Sequence, residues 1–266
     1  MTIVETNVRA LKVVRARRLL ESKFRAAQQA FLAEGPQAVR EAIQADLVRE
    51  LFITEESAQR YPDMVSLAES AEVDITVVTP EVIEVLASAV TPQGMVAVVN
   101  HAKADLASVL HAGSKLVVAL ASVRDPGNAG SVIRVADAVA ADGVLTTADS
   151  VELQNPKVVR STAGSLFHLP CVEGVDILEV IGQARALGLQ ILAADGSGES
   201  FDRGVDLARP TMWVFGNEAW GLPAELLDAV DQVVSIPIYG KAESLNLATA
   251  TAVCLYASAS AQRSTN

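Results

Sequence analysis

The sequence predicts an α/β protein in two parts: a small N-terminal α/β domain, then a larger C-terminal one with a mostly parallel sheet. Three observations carry this. Half of the 266 residues are hydrophobic and one fifth are charged, which supplies a sizeable core. Apolar strand-like runs alternate with amphipathic stretches almost from end to end, as strand–helix–strand units do. The alternation lapses once, around NHAKADLASVLHAGSK, which puts the domain boundary near residues 101–114.

In the first domain, residues 1–105, the runs QAFLAEG, RELFITEE, VDITVVT and GMVAVVN read as strands. Between them PQAVREAIQADL, SAQRYPDMVSLAES and PEVIEVLASAV read as helices, in a parallel or mixed sheet of roughly four strands. Pro36 and Pro80 suit a first helical turn, where the missing N–H costs nothing. In the second domain, residues 113–266, strands are expected at 116–123, 143–149, 168–174, 189–195, 211–217 and 232–238. Their nearly continuous apolar character is that of strands buried on both faces. Helices are expected at 130–141, 155–163, 176–187, 223–230 and 246–260. The last is rich in Ala, Ser and Thr, which suits close packing in a tight core or against a second subunit.

Composition excludes intrinsic disorder and collagen-like repeats. No apolar run approaches the ~18–20 residues that span a bilayer, and the opening residues lack a signal-like stretch, so a cytoplasmic protein without a membrane is expected. Cys171 and Cys254 are isolated in apolar surroundings and read as buried thiols, with neither a disulfide framework nor a metal cluster. His101 and His111 read as linker surface, and His168 as a core or supporting residue. The net charge of −11 disfavours a protein that merely coats nucleic acid. The opening segment is the exception, with Arg9, Lys12, Arg15, Arg17, Arg18, Lys23 and Arg25 against Glu5 and Glu21. On one helix these charges would spread around the circumference, so a solvated helix and an RNA-facing one both fit.

Ligands of open α/β sheets bind beyond the carboxyl ends of the strands, which directs attention to three loops. ASVRDPGNAGSVIR carries Gly127 and Gly130 as turn formers, Asn128 as a short amide, and Arg134 inside the following helix. It meets neither the dinucleotide fingerprint nor the P-loop pattern, and an ordinary strand–helix turn is its alternative reading. VFGNEAWGLPAEL brackets Asn217, Glu218 and Trp220 between Gly216 and Gly221. Glu218 alternatively belongs to the turn before the helix from Pro223. SIPIYGKAESLNLATATA brings Ser244 and Asn246 to a helix start, where Ser244 also reads as an N-cap.

In order and spacing, DPGNAGSVIR, FGNEAWGLP and SIPIYGKAESLNLATATA resemble the three signature segments of the SpoU/TrmH family of SPOUT-class RNA methyltransferases. NPKVVRSTAGSLFHLP, with Arg160, Ser161, Gly164 and Ser165, is similar to that family's intermediate segment. AFLAEGPQAVREAI and TPQGMVAVV are similar to the ribosomal-protein-like substrate-binding domain often fused ahead of it. The resemblance implies a homodimer, formed through the C-terminal domain, that methylates a ribose 2′-hydroxyl of RNA from S-adenosylmethionine held in a trefoil knot. No metal is implied. Carried over by motif, Gly216, Ile236 and Leu245 would contact the cofactor. Arg134, Asn128, Glu218, Ser244 and Asn246 would shape the reacting pocket, with Arg134 reaching the partner's site. Arginine, with a pKa above ~12, suits positioning and charge stabilisation better than proton abstraction. Ribosomal RNA is the expected substrate. Transfer RNA, a non-catalytic RNA-binding or ribosome-assembly role and, more remotely, a nucleotide-binding oxidoreductase are the alternatives.

Overall fold

A computed structural model describes residues 4–102, 104–200 and 204–264; the expected domain ends at 1–3 and 265–266 lie outside them. The first run of elements is α1 (Leu11–Arg17), α2 (Ser22–Gln28), β1 (Ala30–Glu34), α3 (Pro36–Gln44), β2 (Val48–Thr54) and α4 (Glu55–Arg60). It continues with α5 (Pro62–Ser70), β3 (Asp74–Val78), α6 (Pro80–Leu86) and β4 (Met95–Asn100). Next come α7 (Leu106–Val109), β5 (Leu116–Leu120), α8 (Pro126–Ala138), β6 (Gly143–Thr146), α9 (Pro156–Thr162) and β7 (Cys171–Glu173). The chain closes with α10 (Ile177–Ala186), β8 (Gln190–Ser200), β9 (Thr211–Phe215), α11 (Ala224–Ala229), β10 (Gln232–Ser235) and α12 (Leu247–Ser264).

The chain divides into two compact units, and the division is not contiguous. Met1–Lys103 and Leu153–His168 form the first; Ala104–Glu152 and Leu169–Asn266 form the second. The helix expected at 155–163 therefore packs with the first unit, where Val159 is buried in the core and Phe167 stacks on Phe31 with centroids 6.2 Å apart. Arg160 ion-pairs with Glu34, whose carboxylate also accepts from Ser88 N at 2.7 Å. His168 is neither core nor support for the candidate site: it is exposed and bonds Glu41 at 3.1 Å.

The first unit's sheet has the order β1-β4-β2-β3, mixed because β2 and β3 run parallel while the other pairs are antiparallel. Alternate residues feed two cores. Phe31, Ala33, Ile53 and Met95 face α3 and α5, whereas Leu32, Phe52, Val96 and Val98 face α1 and α6. Burial on both faces explains the near-continuous apolar runs. The single helix expected from SAQRYPDMVSLAES breaks into α4 and α5 at Tyr61, because the residue before a proline is disfavoured in the α region.

The basic opening segment is also broken, into α1, a 3-10 turn at Arg18–Leu20, and α2. Lys12, Arg15 and Lys23 are ion-paired with Asp74, Glu50 and Glu21. Arg25 is buried and donates to the Leu19 and Leu20 carbonyls at 3.0 and 2.9 Å. Arg9, Arg17 and Arg18 remain without a carboxylate partner among the described residues.

In the second unit six strands lie in the order β10-β8-β9-β5-β6-β7, and every neighbouring pair is parallel. One face packs on α10 and α11 through Val180, Ile181 and Leu226. Against β5, β9 and α8 lies α12, whose small residues admit close approach. The indole of the fully buried Trp213 donates to Ser258 Oγ at 2.9 Å, which satisfies two polar groups in an apolar layer. Gln262 anchors the far end of α12 by donating to the Lys115 and Arg209 carbonyls. Several strands are shorter than expected. β6 stops at Thr146 because Thr147 turns to bond Asp149 at 2.6 Å, and β10 stops before Pro237, which has no N–H to donate. Cys171 and Cys254 are both free, and only Cys254 is fully buried.

Candidate active site

The hollow that matters opens at the carboxyl ends of β8, β9 and β10 and has a volume of about 380 Å³, within the range of small-molecule sites. Its floor is local backbone geometry. Opposite the step from Val233 to Val234, β8 bulges over Ala194–Gly198, which brings Asp195 and Gly196 to the rim. After β9 the chain makes a tight turn closed by Asn217 N to Gly221 O at 3.0 Å and Gly221 N to Asn217 O at 2.9 Å. Asn217 is buried and donates from Nδ2 to the Ser122 carbonyl at 2.7 Å, which fixes this turn to the loop after β5.

That loop does not use its glycines as the sequence suggested. Its left-handed residue is Ser122 (φ 56°), and Gly127 already lies in the first turn of α8. Helix formation starts at Pro126 because Asp125 Oδ1 accepts the N–H of Asn128 at 2.8 Å, an N-cap that places Asn128 at the helix mouth. Beside it, hydrogen bonds from Ser122 and Thr147 hold the Asp149 carboxyl below its ordinary range.

One side-chain chain links all three loops. Asn246 Oδ1 caps α12, accepting from the N–H groups of Ala248 and Thr249, so its Nδ2 is the end left to donate. It donates to Asn128 Oδ1 at 2.9 Å, and Asn128 Nδ2 donates to Glu218 Oε1 at 2.9 Å. Every amide in this row has one permitted orientation, set by the helix cap at one end and an acceptor-only carboxylate at the other. Asn246, not Ser244, caps the helix; Ser244 is exposed on the wall of the hollow.

The lining sorts by chemistry. Val234, Ile236, Ile238 and Leu245 make an apolar wall, while Asp195, Glu218 and Glu243 bring three carboxylates. No Lys, Arg or His lines it among the described residues. Such a field favours a cationic guest over one bearing phosphates. Among the described residues no group of three or more His, Cys, Asp or Glu is placed to hold a metal ion, and no helix is long and apolar enough to cross a membrane.

Residues 115–256 match the SpoU rRNA Methylase family, and residues 11–97 match the MRM3-like substrate binding domain. The chain belongs to the SpoU rRNA methylase family. An uncharacterized tRNA/rRNA methyltransferase of Synechocystis is 32% identical over 245 residues, covering 92% of this chain and 89% of that protein. The 23S rRNA 2′-O-methyltransferase RlmP of Bacillus subtilis is 28% identical, covering 92% and 94%. Among solved structures, the SpoU methyltransferase AviRb of Streptomyces viridochromogenes with AdoMet bound superposes with a TM-score of 0.85 at 29% identity, covering 96% and 99%.

Of the residues singled out by the SpoU motifs, Asn128, Gly216, Glu218, Ile236, Ser244, Leu245 and Asn246 all line the hollow. Arg134 does not. It is exposed on α8 and makes no hydrogen bond or ion pair among the described residues. Gly216 is confined by the backbone of its own turn. A Cβ there would lie 2.4 Å from Gly221 C and 2.7 Å from Leu222 N, so the turn's own backbone excludes any side chain. Sequence reasoning omitted Asp195 and Glu243. Asp195 carried a usable signal, since LQILAAD ends an apolar strand at its ligand-binding end; Glu243 sits in a polar loop and carried none.

Proposed function

We propose that this SpoU-family chain transfers a methyl group from S-adenosylmethionine to a ribose 2′-hydroxyl of 23S ribosomal RNA, acting as a homodimer through its second unit. The observation that carries this reading is the hollow itself. It is anionic, free of basic side chains, and set beyond the carboxyl ends of parallel strands. Those features fit a sulfonium cofactor and disfavour a pyrophosphate-bearing dinucleotide. The names of RlmP and AviRb support the substrate and the cofactor, respectively, by family.

S-Adenosylmethionine supplies an electrophilic methyl group. The chain's residues bind and orient. Ile236 and Leu245 would hold the cofactor by apolar surface, and the turn held by Gly216 would present backbone to it. Asn128, Glu218 and Asn246 form a pre-ordered polar edge whose hydrogen-bond direction is already fixed, which limits the reorganisation needed when a hydroxyl is aligned with the methyl carbon. Ser244 adds a hydroxyl to the same edge. Arg134, exposed and unpaired on α8, is assigned to the partner subunit's pocket, where its permanent charge would grip a phosphate and stabilise the developing oxyanion. The deep knot expected of the cofactor loops belongs to the same proposal, supported by the meeting of the segments after β8, β9 and β10 around one hollow. The first unit is assigned to RNA, with Arg9, Arg17 and Arg18 among the cations that have no carboxylate partner within the described residues.

Incubation with labelled S-adenosylmethionine and ribosomal RNA from a strain lacking the protein tests this. One alkali-resistant 2′-O-methyl position in 23S RNA is expected. Label that appears only in transfer RNA, or on a base, would overturn the assignment.

A further inference from the structure

We propose that Trp220, with Arg124 against its ring, is a stacking platform for an unpaired nucleobase of the RNA at the mouth of the hollow. The proposal rests on the methyltransferase reading and adds a specificity-determining contact to it. The chain has two tryptophans. Trp213 is fully buried in β9, whereas Trp220, at the tip of the turn that follows, is 57% exposed.

This indole is not on a loose loop. Glu218 and Gly221, on either side of it, line the hollow. The turn is closed by its two backbone hydrogen bonds, Ala219 N donates to Asn217 Oδ1 at 2.8 Å, and Glu218 is tied to Asn128. The backbone that carries the indole is thus ordered before binding, which lowers the freedom lost when a base stacks on it.

From the separate loop after β5, the Arg124 guanidinium lies 5.2 Å from the ring centroid. Among the described residues Arg124 has no carboxylate in ion-pair distance. A positive charge therefore stands at the edge of a hollow that holds none, beside an exposed π-face. Nucleobases stack on tryptophan and on arginine planes, while the charge attracts the backbone phosphate. Tyr239 and Tyr256 are also exposed, but among the described residues neither has a cation over its ring. The base must be unpaired, because a duplex keeps its faces stacked internally.

Two measurements test this, one without catalysis. With Trp213 buried, quencher-accessible emission reports Trp220, and a short unstructured oligoribonucleotide should quench it in the wild type while leaving Trp220→Phe without the signal. On ribosomal RNA from the deletion strain, Trp220→Ala should raise KM for RNA about tenfold, as expected for one lost stacking contact. Its affinity for S-adenosylmethionine should stay unchanged, and Trp220→Phe should restore most of the loss. Wild-type quenching without any methylation would reject the methyltransferase reading and keep the stacking site. Methylation by Trp220→Ala at wild-type KM, or a change in its sedimentation that marks Trp220 as a subunit contact, would overturn the proposal.

Discussion

Replacing Gly216 by alanine tests whether the turn after β9 is set by backbone contact. The added Cβ would meet Gly221 C at 2.4 Å, Gly221 O at 2.5 Å and Leu222 N at 2.7 Å. These are main-chain atoms and cannot rotate away, so relief requires opening the pair of hydrogen bonds between Asn217 and Gly221. At ~0.5–1.5 kcal/mol each, their loss puts the cost at about 1–3 kcal/mol. For a chain of this size that is a fall in Tm of a few degrees. The same displacement moves Glu218 away from Asn128, so S-adenosylmethionine binding should weaken at least ~10-fold, the equivalent of one charge-assisted hydrogen bond. Calorimetric titration and thermal melts read both quantities. Gly182→Ala, on the exposed face of α10 with nothing within 4 Å of the new Cβ, is the control and should gain ~0.5–1 kcal/mol. A Gly216→Ala protein that melts with the wild type and binds cofactor within a factor of two would refute the argument.

If Arg134 serves the partner's pocket, inactive Arg134→Ala and Asn128→Ala homodimers should recover about a quarter of wild-type activity when subunits are mixed, since about half the dimers then hold one complete site. Background activity from proven heterodimers would place Arg134 in its own chain's site. Reversing Arg17 and Arg18 to Glu should weaken RNA binding across sequences and reduce the salt slope by roughly one to two ions, whereas reversing the already paired Arg15 should matter less; filter binding at graded salt decides. Burial pushes the Cys254 thiol from 9.0 up to about 12. The folded state then holds a proton that the unfolded chain releases above pH 9, so stability from this group is intact below pH 9 and declines up to about pH 12, by at most ~1.4 kcal/mol per pH unit. Urea midpoints at several pH values should show that decline lessened in Cys254→Ala.

The succession of strands and helices and the mostly parallel sheet were legible because buried strands write continuous apolar runs, as LVVALASV and TMWVFGN do; the order of the strands within the sheet was not. The ligand-binding end followed from topology, and seven residues expected there by resemblance share one hollow. Contacts that depend on distant backbone were not legible. Nothing local distinguishes Gly216, excluded from bearing a side chain by Gly221, from a glycine that makes room for a ligand. Likewise, the charges of residues 9–25 could not be sorted into paired, buried and free without Asp74, Glu50 and the Leu19 and Leu20 carbonyls.

The distant segment 153–168 gives synthesis of this protein a definite order. Residues 4–102 leave the ribosome carrying most of the first unit, but Val159, Leu166 and Phe167, which cover part of its core, follow much later. At ~5–20 residues per second, that apolar face waits roughly 3–13 s for its cover. During that interval one of the first unit's two cores lacks part of its apolar cover, while the other is complete. The same arrangement means that the N-terminal part is not a cassette to be cut out and fused elsewhere. A transplanted copy would need its cover supplied as a second piece.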